Sequence, residues 1–195
     1  MYVGGGGAGG MISKEIILSS VEETMYIAVG TGGAGGKPWA YGWSIANSVL
    51  ADGKNGANSS VTFSINVSQN LTAIGGGFGI GGLSTDALGS GGSGGGAHGG
   101  TQGTNRPGTG TIGQGNNGVK SYSSLAAGVQ CGGGGGGGAG GEGGEIATSN
   151  QYNSGSIANK RYGSSAGPGL TCSLNGINAV TTTKLFCAGG GQVNI

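Results

Sequence analysis

Charge is scarce in this sequence, with eight Lys and Arg against seven Asp and Glu, a formal net charge of +1 and only 8% charged residues among 195. Nucleic acid is an unsuitable partner for such a chain, because binding it needs a basic footprint that displaces counterions from phosphates. Acidic partners are not implied either. Large apolar residues are also few: Val, Ile, Leu and Phe total 35, below the roughly 20% at which an ordinary hydrophobic core becomes doubtful. No stretch approaches about 18 consecutive apolar residues, so no membrane-spanning helix is expected. The opening Met1-Tyr2-Val3-Gly4-Gly5 lacks the basic and apolar regions of a signal peptide, which leads to the expectation of a protein made in a cytoplasm. Only Pro38, Pro107 and Pro168 occur, without a strict Gly-X-Y repeat, and this excludes a collagen triple helix. Cys131, Cys172 and Cys187 have no CxxC or Cys/His ligand spacing and read as structural thiols. Cys172 and Cys187 fall in two candidate strands, which leaves a disulfide open.

What the chain has is glycine, 54 residues in all, about four times the usual share of roughly 7%. Glycine loses the most conformational entropy on ordering and has no side chain to bury. For such a chain to fold, backbone hydrogen bonding must replace side-chain burial as the main ordering interaction.

Two kinds of segment alternate. Glycine blocks run from Gly4 to Gly10, Gly30 to Gly36, Gly75 to Gly82, Gly89 to Gly100 and Gly132 to Gly144. Between them, Lys14–Leu18 and Met25–Val29 read as two strands joined by a polar turn containing Glu22 and Glu23. Val61, Phe63, Ile65 and Val67 alternate as a half-buried strand would. Leu170–Leu174 and Lys184–Ala188 suggest a C-terminal hairpin with Asn175-Gly176 as a turn signal. Helix is nearly absent from the pattern, with a turn or two at most over Ile45–Ala51. The whole reads as one domain over 1–195, in three parts: strand-containing to about 74, glycine-rich to about 144, then a loop and hairpin.

A strand of glycine has no side-chain pairs and makes a poor sheet. An extended left-handed helix of three residues per turn instead leaves every N–H and C=O pointing outward. Packed side by side, such helices bond to one another, and only glycine permits the approach. The expected fold class is therefore mostly irregular and all-β, with stacked polyglycine-II helices, flanking short strands and hairpins, and little or no α-helix.

The order of the blocks carries a resemblance. Tyr2-Val3-Gly4-Gly5-Gly6-Gly7-Ala8-Gly9-Gly10 leads through a hairpin-like stretch to Ile27-Ala28-Val29-Gly30-Thr31-Gly32-Gly33. Gly56-Ala57-Asn58-Ser59-Ser60-Val61-Thr62-Phe63, Leu71-Thr72-Ala73-Ile74-Gly75-Gly76-Gly77, Gly113-Gln114-Gly115-Asn116-Asn117-Gly118 and the run from Gly132 follow, and Gly167-Pro168-Gly169-Leu170 and Phe186-Cys187-Ala188-Gly189-Gly190-Gly191 close the series. Across nearly all of its length the chain resembles the glycine-rich domain of bacteriophage tail-fibre tips and receptor-binding adhesins. That resemblance implies a polyglycine-II sandwich whose variable loops touch a bacterial surface glycan or outer-membrane protein. It also implies other virion proteins, such as fibre, tail or capsid subunits, as neighbours, a virion-surface location and trimeric relatives.

Motifs for chemistry fail their tests. The best nucleotide-binding candidate, Thr31 to Pro38, has Thr where a P-loop needs its first Gly and Pro where it needs Ser or Thr. His98 is the sole histidine, set in Gly94-Gly95-Gly96-Ala97-His98-Gly99-Gly100 with no carboxylate nearby in sequence to orient it, and reads as a surface or layer-edge residue. Glu22 with Glu23 and Glu142 with Glu145 suit solvated turns, and no Asp-x-Asp-x-Asp series offers a calcium loop. No enzyme activity, cofactor or metal is expected.

Aromatic residues make up only 6% of the chain, yet Trp39, Tyr41 and Trp43 fall within five positions. Alternate residues of an extended segment share a face. That face suits stacking on sugars or anchoring a protein, or equally covering the end of the glycine stack as a minor core. A second candidate is the polar stretch containing Tyr152, Arg161 and Tyr162, whose Asn, Ser, Tyr and Arg content suits an adaptable binding loop or a plain solvated connection. Two functions of different class follow. One is a receptor-binding virion protein; the other is an architectural subunit, such as a capsid decoration or head fibre, without a receptor. An extracellular matrix protein outside viruses is a third.

Overall fold

The computed structural model describes residues 4–18, 21–36, 52–81, 89–98, 106–121, 133–144 and 165–170. Among these residues regular secondary structure is small: β1 (Met25–Ala28), β2 (Ser59–Phe63) and β3 (Leu71–Ala73), with one turn of 3₁₀ helix at Val67–Gln69 between the last two. The strands form one antiparallel sheet in the order β1-β2-β3, with Met25 opposite Phe63 and Ser59 opposite Ala73. No α-helix occurs among the described residues, as the composition leads one to expect.

The glycine runs are organised by a step of three. The N–H groups of Gly4, Gly7 and Gly10 donate to Ile80, Gly77 and Ile74 at 2.9, 2.8 and 2.7 Å, an antiparallel register. Gly5 and Ala8 donate to Gly134 and Gly137, while their carbonyls accept from Gly96 and Ser93. One run thus turns successive residues toward different neighbours, as a helix of three residues per turn without internal hydrogen bonds must. Among the described residues only Gly113, at φ 77°, has a positive φ. It sits in the turn at 112–114, where that conformation is natural for glycine.

The run at 91–97 is the centre of the stack, and all seven of its residues are buried. Its neighbours are 4–10, 74–81, 108–111, 116–119 and 133–138, again in steps of three: Gly94 and Ala97 donate to Asn116 and Val119, and Gly134 and Gly137 donate to Ala97 and Gly94. The small core residues Ala8, Ile80, Ala97 and Val119 belong to these runs rather than to the sheet, which contributes Phe63. The runs 52–58, 108–111 and 116–119 are built with Asp, Asn and Thr among their glycines, and the block pattern of the sequence did not mark them as members of the stack.

Side-chain amides and the Asp52 carboxylate lock the register. Asp52, Asn55 and Asn58, three residues apart, accept from the N–H groups of Gly81, Phe78 and Gly75 at 3.0 Å each. Asn116 Nδ2 reaches the carbonyls of Gly138 and Ala139, and Gln114 accepts from Ile74 N–H at 2.8 Å while donating to Thr72 O at 3.0 Å. Replacing Gln114 with Ala strips two partners from the junction of β3 with the run 74–81. The expected cost is about 1–3 kcal/mol, read as a thermal midpoint lower by roughly 3–10 °C; an unchanged midpoint would show that water replaces the amide without loss.

Two strand expectations need correction. Lys14–Leu18 forms no strand; Ile17 instead exchanges two hydrogen bonds with the Gln69 amide, 3.1 Å for its N–H and 2.6 Å for its carbonyl. The alternation through Ile65 and Val67 is also not one strand. The Glu23 carboxylate accepts from the N–H groups of Ile65 and Asn66, which bends the chain out of β2 into the 3₁₀ turn and leaves Ile65 and Val67 exposed. Met25–Ala28 lies within the expected Met25–Val29 strand. The expected turn at 45–51 lies outside the described residues, as does the C-terminal hairpin beyond Leu170.

Candidate functional site

The registers give the stack two unlike ends. Runs 4–10, 52–58, 108–111, 133–138 and 165–168 ascend, and 31–36, 74–81, 93–98, 116–121 and 141–144 descend between them. Lys54 and Ala57 donate to Ala34 and Thr31 at 2.9 Å, which sets Gly36 beside Asp52, and Asp52 in turn accepts from Gly81. His98 O accepts from Ser121 Oγ at 2.6 Å, and Gly144 N–H donates to Ser165 O at 3.1 Å. Gly4, Gly36, Asp52, Gly81, His98, Arg106, Ser121, Gly133, Gly144 and Ser165 therefore gather at one end. Gly89 lies about one turn in, where its carbonyl accepts from Gly95.

This arrangement has a consequence for the sequence-derived candidates. The five stretches 37–51, 82–88, 99–105, 122–132 and 145–164 are each entered and left at or next to that end. Trp39, Tyr41 and Trp43 belong to the first and Tyr152, Arg161 and Tyr162 to the last, and all six lie outside the described residues. Cys131, Cys172 and Cys187 do too. What the structure supplies is the base of each stretch. The paired runs 31–36 and 52–58 clamp the ends of the aromatic stretch, and Gly144 with Ser165 clamps those of the Tyr152 stretch.

The opposite end carries the sheet. There β1 is exposed on both faces, and Ile17, Val21, Tyr26, Val29, Ile65 and Val67 all present apolar surface to solvent, Val21 and Val29 at 104% and 83%. Exposed apolar residues grouped in this way mark interaction surfaces more often than isolated ones do.

Among the described residues, His98 has a distinctive environment. It is half-buried rather than a simple surface residue, and its Nδ1 is buried without a hydrogen-bond partner. Burial lowers its pKa below the usual 6.5, against the opposing pull of the Asp52 carboxylate. The folded chain thus holds a neutral imidazole that the unfolded chain protonates more readily. Stability from this source is complete above the unfolded value near 6.5 and is lost as pH falls through the lowered folded value. Thermal midpoints measured from pH 8 to pH 5 are expected to decline across that window, and His98→Gln is expected to flatten the decline; identical pH profiles for both proteins would contradict a buried neutral His98.

Among the described residues no group of three His, Cys, Asp or Glu is placed to hold a metal ion, and no helix is long and apolar enough to cross a membrane. The geometry thus defines a class: a module whose glycine runs are bonded through backbone, with connecting stretches rooted at one end and a small sheet at the other. The model of the glycine-rich domain family matches residues 1–194, and the chain belongs to that family. No curated protein and no solved structure matches it.

Proposed function

We propose that this glycine-rich chain is a phage virion structural protein, a tail-fibre tip or receptor-binding adhesin that acts by binding and performs no chemistry. The observation that carries the reading is the gathering of nine run ends with Gly4 at one pole of a rigid stack. Connecting stretches rooted together are suited to act jointly, and a stack fixed by lateral backbone bonds holds their bases in place without ordering cost at binding. Trp39, Tyr41 and Trp43 with Tyr152, Arg161 and Tyr162 are the residues proposed to contact a bacterial surface glycan or outer-membrane protein. Several copies per particle multiply modest single-site affinity. The exposed apolar sheet at the other pole suits attachment to a fibre, tail or capsid subunit, a homotrimer included, and the location that goes with this reading is the virion surface.

That same apolar pole favours a second reading, in which the chain is purely architectural and joins virion subunits without a receptor. Adsorption separates the two. Purified protein is expected to bind host cells and to compete with particle attachment. Failure of both, with the protein folded and particles otherwise infectious, leaves the architectural role.

A further inference from the structure

The flank of the stack carries a groove that neither pole explains. Runs 4–10, 74–81, 52–58 and 31–36 are bonded in that order, each to the next, and curve around a trough of about 640 Å³. Its two rims are the outer runs. On the first, residues 4, 7 and 10 face run 74–81 and residues 5 and 8 face the centre, which leaves Gly6 and Gly9 toward the groove. On the second, Thr31 and Ala34 accept from run 52–58, which leaves Gly32 and Gly35.

These four glycines share two properties. Their N–H groups donate no hydrogen bond among the described residues, and they recur at the three-residue step that the lateral bonds of runs 4–10 and 31–36 follow. A Cβ added at Gly32 or Gly35 meets nothing within 4 Å, and one at Gly6 or Gly9 meets only a carbonyl oxygen at 3.7 or 4.0 Å. At Gly4, Gly7, Gly30 and Gly33 of the same runs a Cβ would fall under 3.0 Å from backbone atoms of a neighbouring run. The rims therefore present donors in helical register to an open trough, beside faces already closed by backbone.

Such a surface selects its ligand by shape and by hydrogen-bond period. A helix of three residues per turn, rising about 3.1 Å per residue, runs level with the rims 4–10 and 31–36 residue for residue, so the groove takes about seven residues along its length. A conventional strand offers carbonyls with a period of two and matches neither rim. A residue with a side chain facing a rim would be held off the backbone donors. The described runs at 74–81, 89–98 and 133–138 are bonded within the stack, so none of these is free for a second copy to lend. We infer that the groove between Gly6/Gly9 and Gly32/Gly35 is a docking site for an extended glycine run of about seven residues from a different protein chain, which joins the stack as a further helix.

The probe is a soluble peptide of nine glycines flanked by two lysines at each end, titrated into the full chain and followed by amide NMR and calorimetry. Saturable binding is expected, with shifts and slowed hydrogen exchange at the amides of Gly6, Gly9, Gly32 and Gly35. A peptide with Val at every third central position is expected to bind at least tenfold more weakly. Gly32→Leu and Gly35→Leu should keep the wild-type melting temperature within a few degrees, since their Cβ positions are open, and should weaken the nine-glycine peptide at least tenfold. Absence of binding by the wild-type chain at millimolar peptide overturns the inference, and so does equal binding of the valine peptide. Self-association that the leucine variants abolish and the peptide does not displace assigns the groove to a second copy, and an oligosaccharide that shifts those four amides when the peptide does not assigns it to glycan; either overturns the inference. If a leucine variant fails to fold, the amide shifts of the wild-type chain still decide.

Discussion

Gly95→Val is expected to be the most damaging single substitution of those considered, costing on the order of 4–5 kcal/mol and lowering the thermal midpoint by roughly 10–20 °C. Gly95 lies inside the fully buried run 91–97. A Cβ there would fall under 3.0 Å from the carbonyl group of Phe78, which is backbone and not the yielding end of a side chain. Nor can the run withdraw cheaply, since Gly95 N–H donates to Gly89 O and Gly95 O accepts from Gly108 N–H, both at 2.8 Å. Moving either strand of contact leaves buried backbone groups unpaired, at about 1–3 kcal/mol each. Gly135→Val meets the carbonyl of Ser165 in the same way and is expected to behave alike. The control is Gly35→Ala, where the added carbon meets open space and φ is not positive. There the loss of unfolded-state freedom should leave stability unchanged or raise it by about 0.4–1 kcal/mol. Equal melting of the Gly95→Val and wild-type chains in a thermal scan would refute close packing at the centre of the stack.

The second large effect concerns attachment. Changing Trp39, Tyr41 and Trp43 together to Ala is expected to reduce adsorption to host cells by at least tenfold, with the melting temperature unchanged. Aromatic side chains carry a large share of the energy at recognition surfaces, and several copies on one particle compound a loss at each. The stem formed by Lys54 and Ala57 on Ala34 and Thr31 does not depend on those side chains, so the stack should survive their removal. The opposite result, a lower melting temperature with adsorption intact, would make the trio a minor core and shift the receptor role to Tyr152, Arg161 and Tyr162. The same assay on Ala variants of those three residues tests that second surface independently.

Much of the fold was legible because glycine has one structural use at this density. The blocks from Gly4, Gly30, Gly75, Gly89 and Gly132 all contribute runs to the stack, and Met25–Ala28 contributes a strand. Three runs are not marked by the glycine blocks, 52–58, 108–111 and 116–119, because their identity rests on polar side chains rather than on unbroken glycine. A signal for the first was present in Asp52, Asn55 and Asn58, spaced by three; read as a strand or loop the spacing is meaningless, and only a three-residue turn aligns it on Gly81, Phe78 and Gly75. The motif Gly113-Gln114-Gly115-Asn116-Asn117-Gly118, which carried the family resemblance, proved to be a structural lock: Gln114, Asn116 and Asn117 all bond to neighbouring segments. Ile65 and Val67 misled because alternation reports only which residues would share a face, and the Glu23 carboxylate had already claimed the backbone there.

The sequence by itself determined that this chain would be held by backbone, since 54 glycines and 35 large aliphatic and Phe residues leave no other means. It also determined where chemistry-bearing side chains are concentrated, in the interruptions. Which runs become neighbours, which glycines are closed by packing and which face an open groove, and the return of the long interruptions to one pole were decided only by the tertiary structure. The reason is that a glycine run presents the same donors and acceptors in every direction. Its partners are fixed by where side-chain amides pin the register and by how the turns return the chain, and neither is a property of the run itself.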